Sequence, residues 1–534
     1  MEAIKTQDIR RQVDESNAEQ GGHPRRRAIL AVMCLSLLIV VIDNTILNTA
    51  LPTLARVLGA STTGLQWITD AYTLAFAALL IMAGALGDRF GRRRALIAGL
   101  VVFATGSAWA ALSGETSVLI AARAVMGIGA AFVMPATLSI LTAVFPARER
   151  AGAISAWSAI AGVGIVVGPT LGGFLLAHFY WGSVFWINVP LAAVALVAVL
   201  RVVPRMAGRR NEGGRLDTLG AVLSAAAMLA VVDAVIEGPN RGWTSAVTLG
   251  ELAAGAALIA AFVFRELHVR NPLIDVRVFR HRAFSAASSA IGLTFLALFG
   301  SLFALTQYLQ LVHGYSPLSA GVRALPFAAA VMVTAPISSR LVARLGLRLV
   351  IPAGLAAMGC GLLMLTQVTP TTSYTFLAIG VAIMGAGMGL VMAPAGESIM
   401  SVLPAKYYGA GSAINDTVQE LGGSLGIAVI GSVVASSFRH SLDAASLPAA
   451  MLGPARSSIA AADAVAAHAG PLGARMLELG HQSFTSAMTT GLTVAGIIAL
   501  GGAVVVAIAL PRRRSPISST ATERVEVPTM VTVG

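Results

Sequence analysis

The chain has 534 residues, 56% of them hydrophobic and 12% charged, with a mean hydropathy of +0.79. That balance excludes a soluble domain of this length, and apolar runs of about 20 residues recur along it, so the fold class is an all-α polytopic membrane protein. The formal net charge of +12 does not point to nucleic acid: the basic residues sit in short loops between apolar runs, where positive charge orients a protein in a bilayer.

In chain order, residues 1–27 read as a polar cytoplasmic tail ending His23-Pro24-Arg25-Arg26-Arg27. The apolar run behind it is too long for a signal-peptide core and lacks a cleavage site, so it reads as the first span. Spans are predicted near 28–50, 66–86, 93–113, 118–144, 151–177, 182–203, 216–237, 246–266, 283–309, 318–342, 347–367, 373–396, 409–437 and 485–511. That is about fourteen, and an even number puts both termini on one side. Lys and Arg crowd that side, at Arg25 to Arg27, Arg92 to Arg94, Arg148, Arg150, Arg209, Arg210 and Arg512 to Arg514. The other side carries few, such as Arg241, Arg323 and Arg439. The bias predicts a multi-pass protein with both termini cytoplasmic, and Trp67, Trp181 and Trp243 at the outer interface; the plasma (inner) membrane is the expected location. Cys34 and Cys360 fall in spans and make no metal or disulfide framework.

An internal repeat divides the chain. Arg89-Phe90-Gly91 returns as Arg344-Leu345-Gly346, and Pro146-Ala147-Arg148 as Pro404-Ala405-Lys406. Residues 28–203 and 283–511 therefore read as two six-helix halves, with a linker and two inserted helices at 204–282. An Ala- and Ser-rich extracytoplasmic loop at 438–484 is compatible with short helices on the outer face or with a flexible connector. The tail 512–534 reads as disordered.

The chemistry is expected from ionisable residues within spans. A carboxylate at the centre of a membrane helix costs about 2.5–3.5 kcal/mol on insertion scales, so something must offset it. Asp43 in span one, Asp70 in span two and Arg123 in span four lie at similar depths and are expected to meet, either as a proton site or as a fixed ion pair. Asp416 and Glu420 in span thirteen are four apart on one helix face, with Glu420 about 16 Å from the cytoplasmic end. Like charges there repel, so the pair can hold a proton or a cationic ligand but hardly both. Asp233 in span seven is a weaker cavity candidate, while Glu237 reads as an interface turn. Gly164, Gly168 and Gly172, with Pro169 and Gly173, form a bare stripe on span five; it reads as tight packing or as a seam where the halves slide or seal. Gly84-Ala85-Leu86-Gly87-Asp88-Arg89-Phe90-Gly91-Arg92-Arg93 joins spans two and three. Asp88, Arg89, Gly91 and Arg92 there read as a conformational latch, with Arg92 and Arg93 near lipid phosphates. The second copy has Ala343 where the first has Asp88.

That loop resembles the signature of the major facilitator superfamily, Gly-x-Leu-x-Asp-Arg-x-Gly-Arg-Arg. Together with Asp43-x-Thr45-Ile46-x-Asn48-x-Ala50-Leu51-Pro52, Arg123-x-x-x-Gly127-x-Gly129 and the span-five glycines, it makes the chain similar to the fourteen-helix drug:proton antiporters of the EmrB/QacA type. Asp70 in its Trp67 context, Glu420 and the long outer loop resemble the quaternary-ammonium exporter branch. The resemblance implies the major facilitator fold and a monomeric secondary transporter, not an enzyme. It further implies that lipophilic drugs, mainly cationic, leave against protons, with no cofactor. It links Asp43, Arg123 and the span-five glycines to proton coupling. Met126 stands where the family usually has Gln, and Val331 where that branch can carry an acid used for divalent cations, which favours monovalent substrates. The rival expectation is an exporter dedicated to one neutral or anionic metabolite or antibiotic.

Overall fold

The computed structural model describes residues 23–205, 217–269, 272–273, 276–402, 408–444 and 448–510. The tails 1–22 and 511–534 and the basic linker at 206–216 lie outside the described residues, and so does the disorder expected of 512–534. The long helices are α1 (Arg26–Val57), α2 (Thr62–Phe90), α3 (Arg92–Ala111), α4 (Thr116–Val144), α5 (Ala147–His178), α6 (Asn188–Val202) and α7 (Thr218–Arg241). They continue with α8 (Ala246–His268), α9 (Arg282–Gln307), α10 (Leu325–Leu345), α11 (Leu347–Leu365), α12 (Tyr374–Val402), α13 (Tyr408–Asp443) and α14 (Gly473–Ala509). Among the described residues, thirteen helical segments are long and apolar enough to cross a membrane, and α5, with 32 residues, makes the fourteenth long helix. No strand occurs among the described residues.

The pairing of helices repeats. In the first half α4 packs on α2 and α3, α5 on α1, and α6 on α3; in the second half α12 packs on α10 and α11, α13 on α9, and α14 on α11. Glycines set the same seams in both copies. A Cβ on Gly99 would lie 2.8 Å from the Gly129 carbonyl, and one on Gly354 would lie 2.8 Å from the Gly387 carbonyl. Gly127 abuts the Tyr72 carbonyl as Gly385 abuts that of Phe327. Lipid tails give helices no hydrophobic reason to associate, so such bare backbone surfaces supply the close packing that does.

Gly91 (φ 106°) and Gly346 (φ 82°) turn the chain at corresponding places, in a backbone region that side chains disfavour. Beyond each turn an arginine reaches a neighbouring helix end: Arg93 donates to the Val199 and Leu200 carbonyls at 3.4 and 2.7 Å, and Arg348 to the Ala507 carbonyl at 2.9 Å. Arg92 donates to the Ser139 carbonyl at 2.8 Å. Arg93 and Arg348 thus complement helix C-termini, where orphan carbonyls and the helix dipole favour positive charge, while Arg92 reaches α4 more than a turn before its end.

The inserted helices α7 and α8 pair with each other, and α7 rests on α2 and α13. The outward faces of α8 are apolar and bare, with Val247, Ile259 and Phe264 exposed. The stretch expected as a loop at 438–484 is largely helical. Helix α13 runs on to Asp443, α14 begins at Gly473, and short helices Ala449–Ala455 and Ile459–His468 lie between. Alanine, the strongest helix former, dominates this stretch. Helix Ile459–His468 packs on α14 and α1.

The halves meet at the end of the bundle opposite the termini. The α2–α13 contact carries Gln66, whose Nε2 donates to the Ile427 and Ala428 carbonyls at 3.0 Å each. Gln310 donates to the Thr49 carbonyl at 2.8 Å, and the Thr62 amide to the Ser457 carbonyl at 3.0 Å. Helix α5 packs against the short helix Pro317–Arg323 that precedes α10.

Candidate functional site

Asp43 lies midway along α1 and is fully buried, as is Arg123 of α4. Arg123 Nη1 donates to Asp43 Oδ2 at 2.6 Å. The second carboxylate oxygen accepts from Asn188 Nδ2 at 2.7 Å. Asn188 also donates to Ser107 Oγ at 3.1 Å, and Ser107 to the Phe185 carbonyl at 2.8 Å. Arg123 Nε reaches the Ile68 carbonyl at 3.2 Å, and its guanidinium lies 4.2 Å from the centre of the Tyr72 ring. Charge is thus met by charge, by an amide and by a π face, which is what makes a buried ion tolerable. Asn188 and Tyr72 were not among the expected site residues. The visible signal for Asn188 was a lone amide at the start of an apolar run, ahead of Pro190.

Asp70 does not join this pair, contrary to expectation. It faces α13 instead, where Ser424 lies against it, and its nearest hydroxyl on α2 is Thr73 Oγ1 at 3.4 Å from Oδ1. Helix rotation sends residue 70 away from residues 68 and 72, which address Arg123.

A central cavity of about 210 Å³ lies between the halves. Its walls are apolar: Phe76, Met134, Leu302 and Met388, with Phe295 and Phe299 stacked 5.9 Å apart. Asn44, Thr45 and Asn48 of α1 and Gln419 and Glu420 of α13 add polar groups. Glu420 is the acid on this wall; Asp416, one turn nearer the termini, is half-buried beside Asn415 and does not line the cavity. Arg323 lines the end opposite the termini, with its guanidinium 3.9 Å from the Tyr315 ring centre. His313, just past the span, stacks on Tyr315; burial, then the Arg323 charge, lowers its pKa from the ordinary histidine value. The cavity can take an aromatic or alkyl body and offers one carboxyl group and one guanidinium cation to its charge.

The remaining candidates separate. Asp233 lies away from the cavity: Arg241 holds it at 2.9 Å and Glu251 at 2.8 Å, at the partly exposed end of the α7–α8 pair. Such pairs contribute about 0.2–1 kcal/mol. Replacing Asp233 with Asn is therefore expected to leave dye transport within about twofold of the parent and the unfolding midpoint nearly unmoved. Glu237 accepts from Asn240 at 2.9 Å within α7, which runs on to Arg241, so the stretch expected as an interface turn is helical.

On α5 the glycine stripe faces α1: Gly164 meets Val41, Gly168 overlies Thr45, Gly172 meets Ile46, and Thr45 Oγ1 lies 3.2 Å from the Gly164 carbonyl. That part of the string is packing inside one half. Gly173 instead meets the backbone of Pro317 and Leu318, and Gly321 meets the Pro169 carbonyl. Pro169 and Gly173 are thus the members of the string that touch the other half among the described residues. In the α2–α3 turn, Gly91 begins α3, Arg89 lies over Phe90 at 5.6 Å, and the Asp88 side chain lies outside the described residues.

Comparison with known proteins identifies the family. The Major Facilitator Superfamily profile matches residues 33–427. The chain is 38% identical over 410 residues to the multidrug resistance protein Stp of Mycobacterium tuberculosis, covering 77% of this chain and 76% of that protein. It is 35% identical over 486 residues to the multidrug efflux pump LfrA of Mycolicibacterium smegmatis, covering 90% and 96%. With the methyl viologen resistance protein SmvA of Salmonella typhimurium it shares 36% over 482 residues, covering 89% and 96%. Among solved structures, a bacterial homolog of the human lysosomal transporter Spinster superposes with a TM-score of 0.66 at 17% identity, over 93% of this chain and all of that one, which speaks to fold alone. The chain belongs to the major facilitator superfamily: it is a membrane transporter of the fourteen-helix drug-efflux type, not an enzyme.

Proposed function

We propose that the chain is a proton-coupled multidrug antiporter that exports lipophilic, mainly monovalent cationic compounds across the plasma membrane, with both termini cytoplasmic. The observation that carries this reading is Glu420, an acid on the wall of an otherwise largely apolar cavity, in the same bundle as the closed Asp43–Arg123 pair. An apolar body fills the walls, a positive charge faces Glu420, and a proton taken up by Glu420 removes the attraction. The Asp43–Arg123 pair is the second protonation point: a proton on Asp43 frees Arg123 and loosens α1 from α4 and α6. The names of the relatives above, which speak of multidrug efflux and methyl viologen resistance, support the substrate class. With cytoplasmic termini, the contacts at the opposite end seal the outer face, and this conformer opens inward.

The test is ethidium efflux in energised inverted vesicles, with and without a compound that collapses the proton gradient. The parent should move ethidium only while the gradient stands. Glu420→Gln should raise the apparent KM for ethidium by about tenfold, equivalent to 1.4 kcal/mol of lost charge pairing, and should spare a neutral substrate. Exchange of one proton for one monovalent cation moves no net charge, so such a cycle answers to the pH gradient and not to voltage. Arg323 on the same cavity supports a second reading, an exporter dedicated to one neutral or anionic compound. Under it, Glu420→Gln changes little and Arg323→Gln abolishes transport.

A further inference from the structure

The central cavity is not the only one. A second, of about 280 Å³, lies where the inserted helices α7 and α8 meet α2 and α13. Its walls are apolar, including Ala78, Met228, Phe262 and Leu421. Ser224, Thr417 and Ser424 are the hydroxyls on its lining. Helix α13 separates the two cavities. Glu420 faces the central one, and the next residue, Leu421, faces the lateral one. Ser424, on this lining, is also the α13 hydroxyl that lies against Asp70, which is not itself on the lining.

Asp70 is fully buried; Thr73 Oγ1 lies 3.4 Å from Oδ1 and the Ser424 hydroxyl lies nearby, but Oδ2 lacks a hydrogen bond of ordinary geometry among the described residues. The mechanism proposed above does not use it there. A buried acceptor left without a partner is costly, and an ionised one more so. A proton relieves it while the cavity is empty, and a cation delivered on an apolar body that fits the walls relieves it by displacing that proton. A neutral hydrocarbon, or a lipid acyl chain, would fill the walls and leave Asp70 as it is. The bare apolar faces of α8 place this cavity beside lipid, where lipophilic cations accumulate.

We propose that this lateral cavity is a second binding site, for flat lipophilic monovalent cations, with Asp70 as the counter-charge and Ser424 as the lining hydroxyl that lies against it. It lies one helix away from Glu420, so the inserted pair α7–α8 forms the outer wall of a loading site that the two six-helix halves alone would not possess. The inference rests on the cation reading of the central cavity, and its test separates the two.

The experiment is equilibrium dialysis of ethidium against the full chain in lipid nanodiscs, with empty nanodiscs subtracted. Two equivalents are expected for the parent. Asp70→Asn and Ala78→Phe should each remove one, Glu420→Gln should remove the other, and Asp70→Asn with Glu420→Gln should remove both. Should Ala78→Phe fail to fold, Ser224→Phe fills the same space from the α7 wall. One equivalent in the parent, lost only with Glu420→Gln, would overturn the lateral site and leave the function standing. Two equivalents untouched by Asp70→Asn and by either filling substitution would also overturn it. No ethidium bound by the parent would overturn both readings.

Discussion

Asp43→Asn is expected to reduce gradient-driven ethidium efflux to background and to destabilise the protein by about 3–5 kcal/mol, the cost of breaking a buried ion pair by removing one partner. The two partners are not equivalent. An aspartate stripped of its arginine can escape by taking up a proton, whereas a guanidinium stays charged under any condition in which the protein folds. Asp43→Asn therefore strands a permanent cation at a position with no solvent exposure, held only by the Asn residue, the Ile68 carbonyl and the Tyr72 ring. Arg123→Gln strands an acid that Asn188 still contacts and that a proton can neutralise. The double substitution Asp43→Asn with Arg123→Gln should recover most of the lost stability, because no buried charge remains, yet should not recover transport. Thermal unfolding of the purified protein and efflux from vesicles read the two quantities separately. Transport restored in the double variant would remove the pair from the coupling mechanism and leave it a structural clasp.

How much of this was legible in the sequence depends on the kind of contact. The fourteen long helices follow from the apolar runs, and the two halves from the repeated Arg-x-Gly turns; the shared seams at Gly99 and Gly354, and at Gly127 and Gly385, follow from that repeat. The Asp43–Arg123 pair was accessible because two opposite charges buried at one depth in separate spans have few other places to go. Asp70 was misplaced because depth along a helix is written in the sequence, whereas the direction a side chain takes around the axis depends on which neighbours the helix acquires. Asp233 failed as a cavity residue for the same reason: Arg241, eight residues on, bends back to it through a helix end that apolar periodicity does not resolve. Asn188 was missed because an amide carries no charge to demand a partner, so nothing in its own span identifies the carboxylate it holds. The lateral cavity was invisible altogether, since its walls come from four helices and its residues look like ordinary span interior.

Gly321→Val is expected to unseal the end of the bundle opposite the termini and to slow efflux by about tenfold or more, with little loss of stability. Gly321 meets the Pro169 carbonyl, and across the same seam Gly173 meets the Leu318 backbone. Both obstacles are main chain, which has no rotamer to yield. A side chain there must push the short helix Pro317–Arg323 away from α5. Overpacking costs about 1–3 kcal/mol in a rigid core. Here the protein can avoid it by adopting the arrangement in which these surfaces part, so the cost appears as a shift in population between states of about tenfold for each 1.4 kcal/mol. The reporter is Ala324→Cys, on the central cavity beside the seal, in a background with Cys34 and Cys360 replaced by serine. A membrane-impermeant maleimide applied from the face opposite the termini should label it about tenfold faster in Gly321→Val than in the parent. Gly164→Val is the contrast: it meets Val41 within one half, so the two states share its clash. It should lower the unfolding midpoint and leave labelling of Ala324→Cys unchanged. Equal labelling in both glycine variants would mean that the α5 contact with Pro317–Arg323 is packing and not a gate.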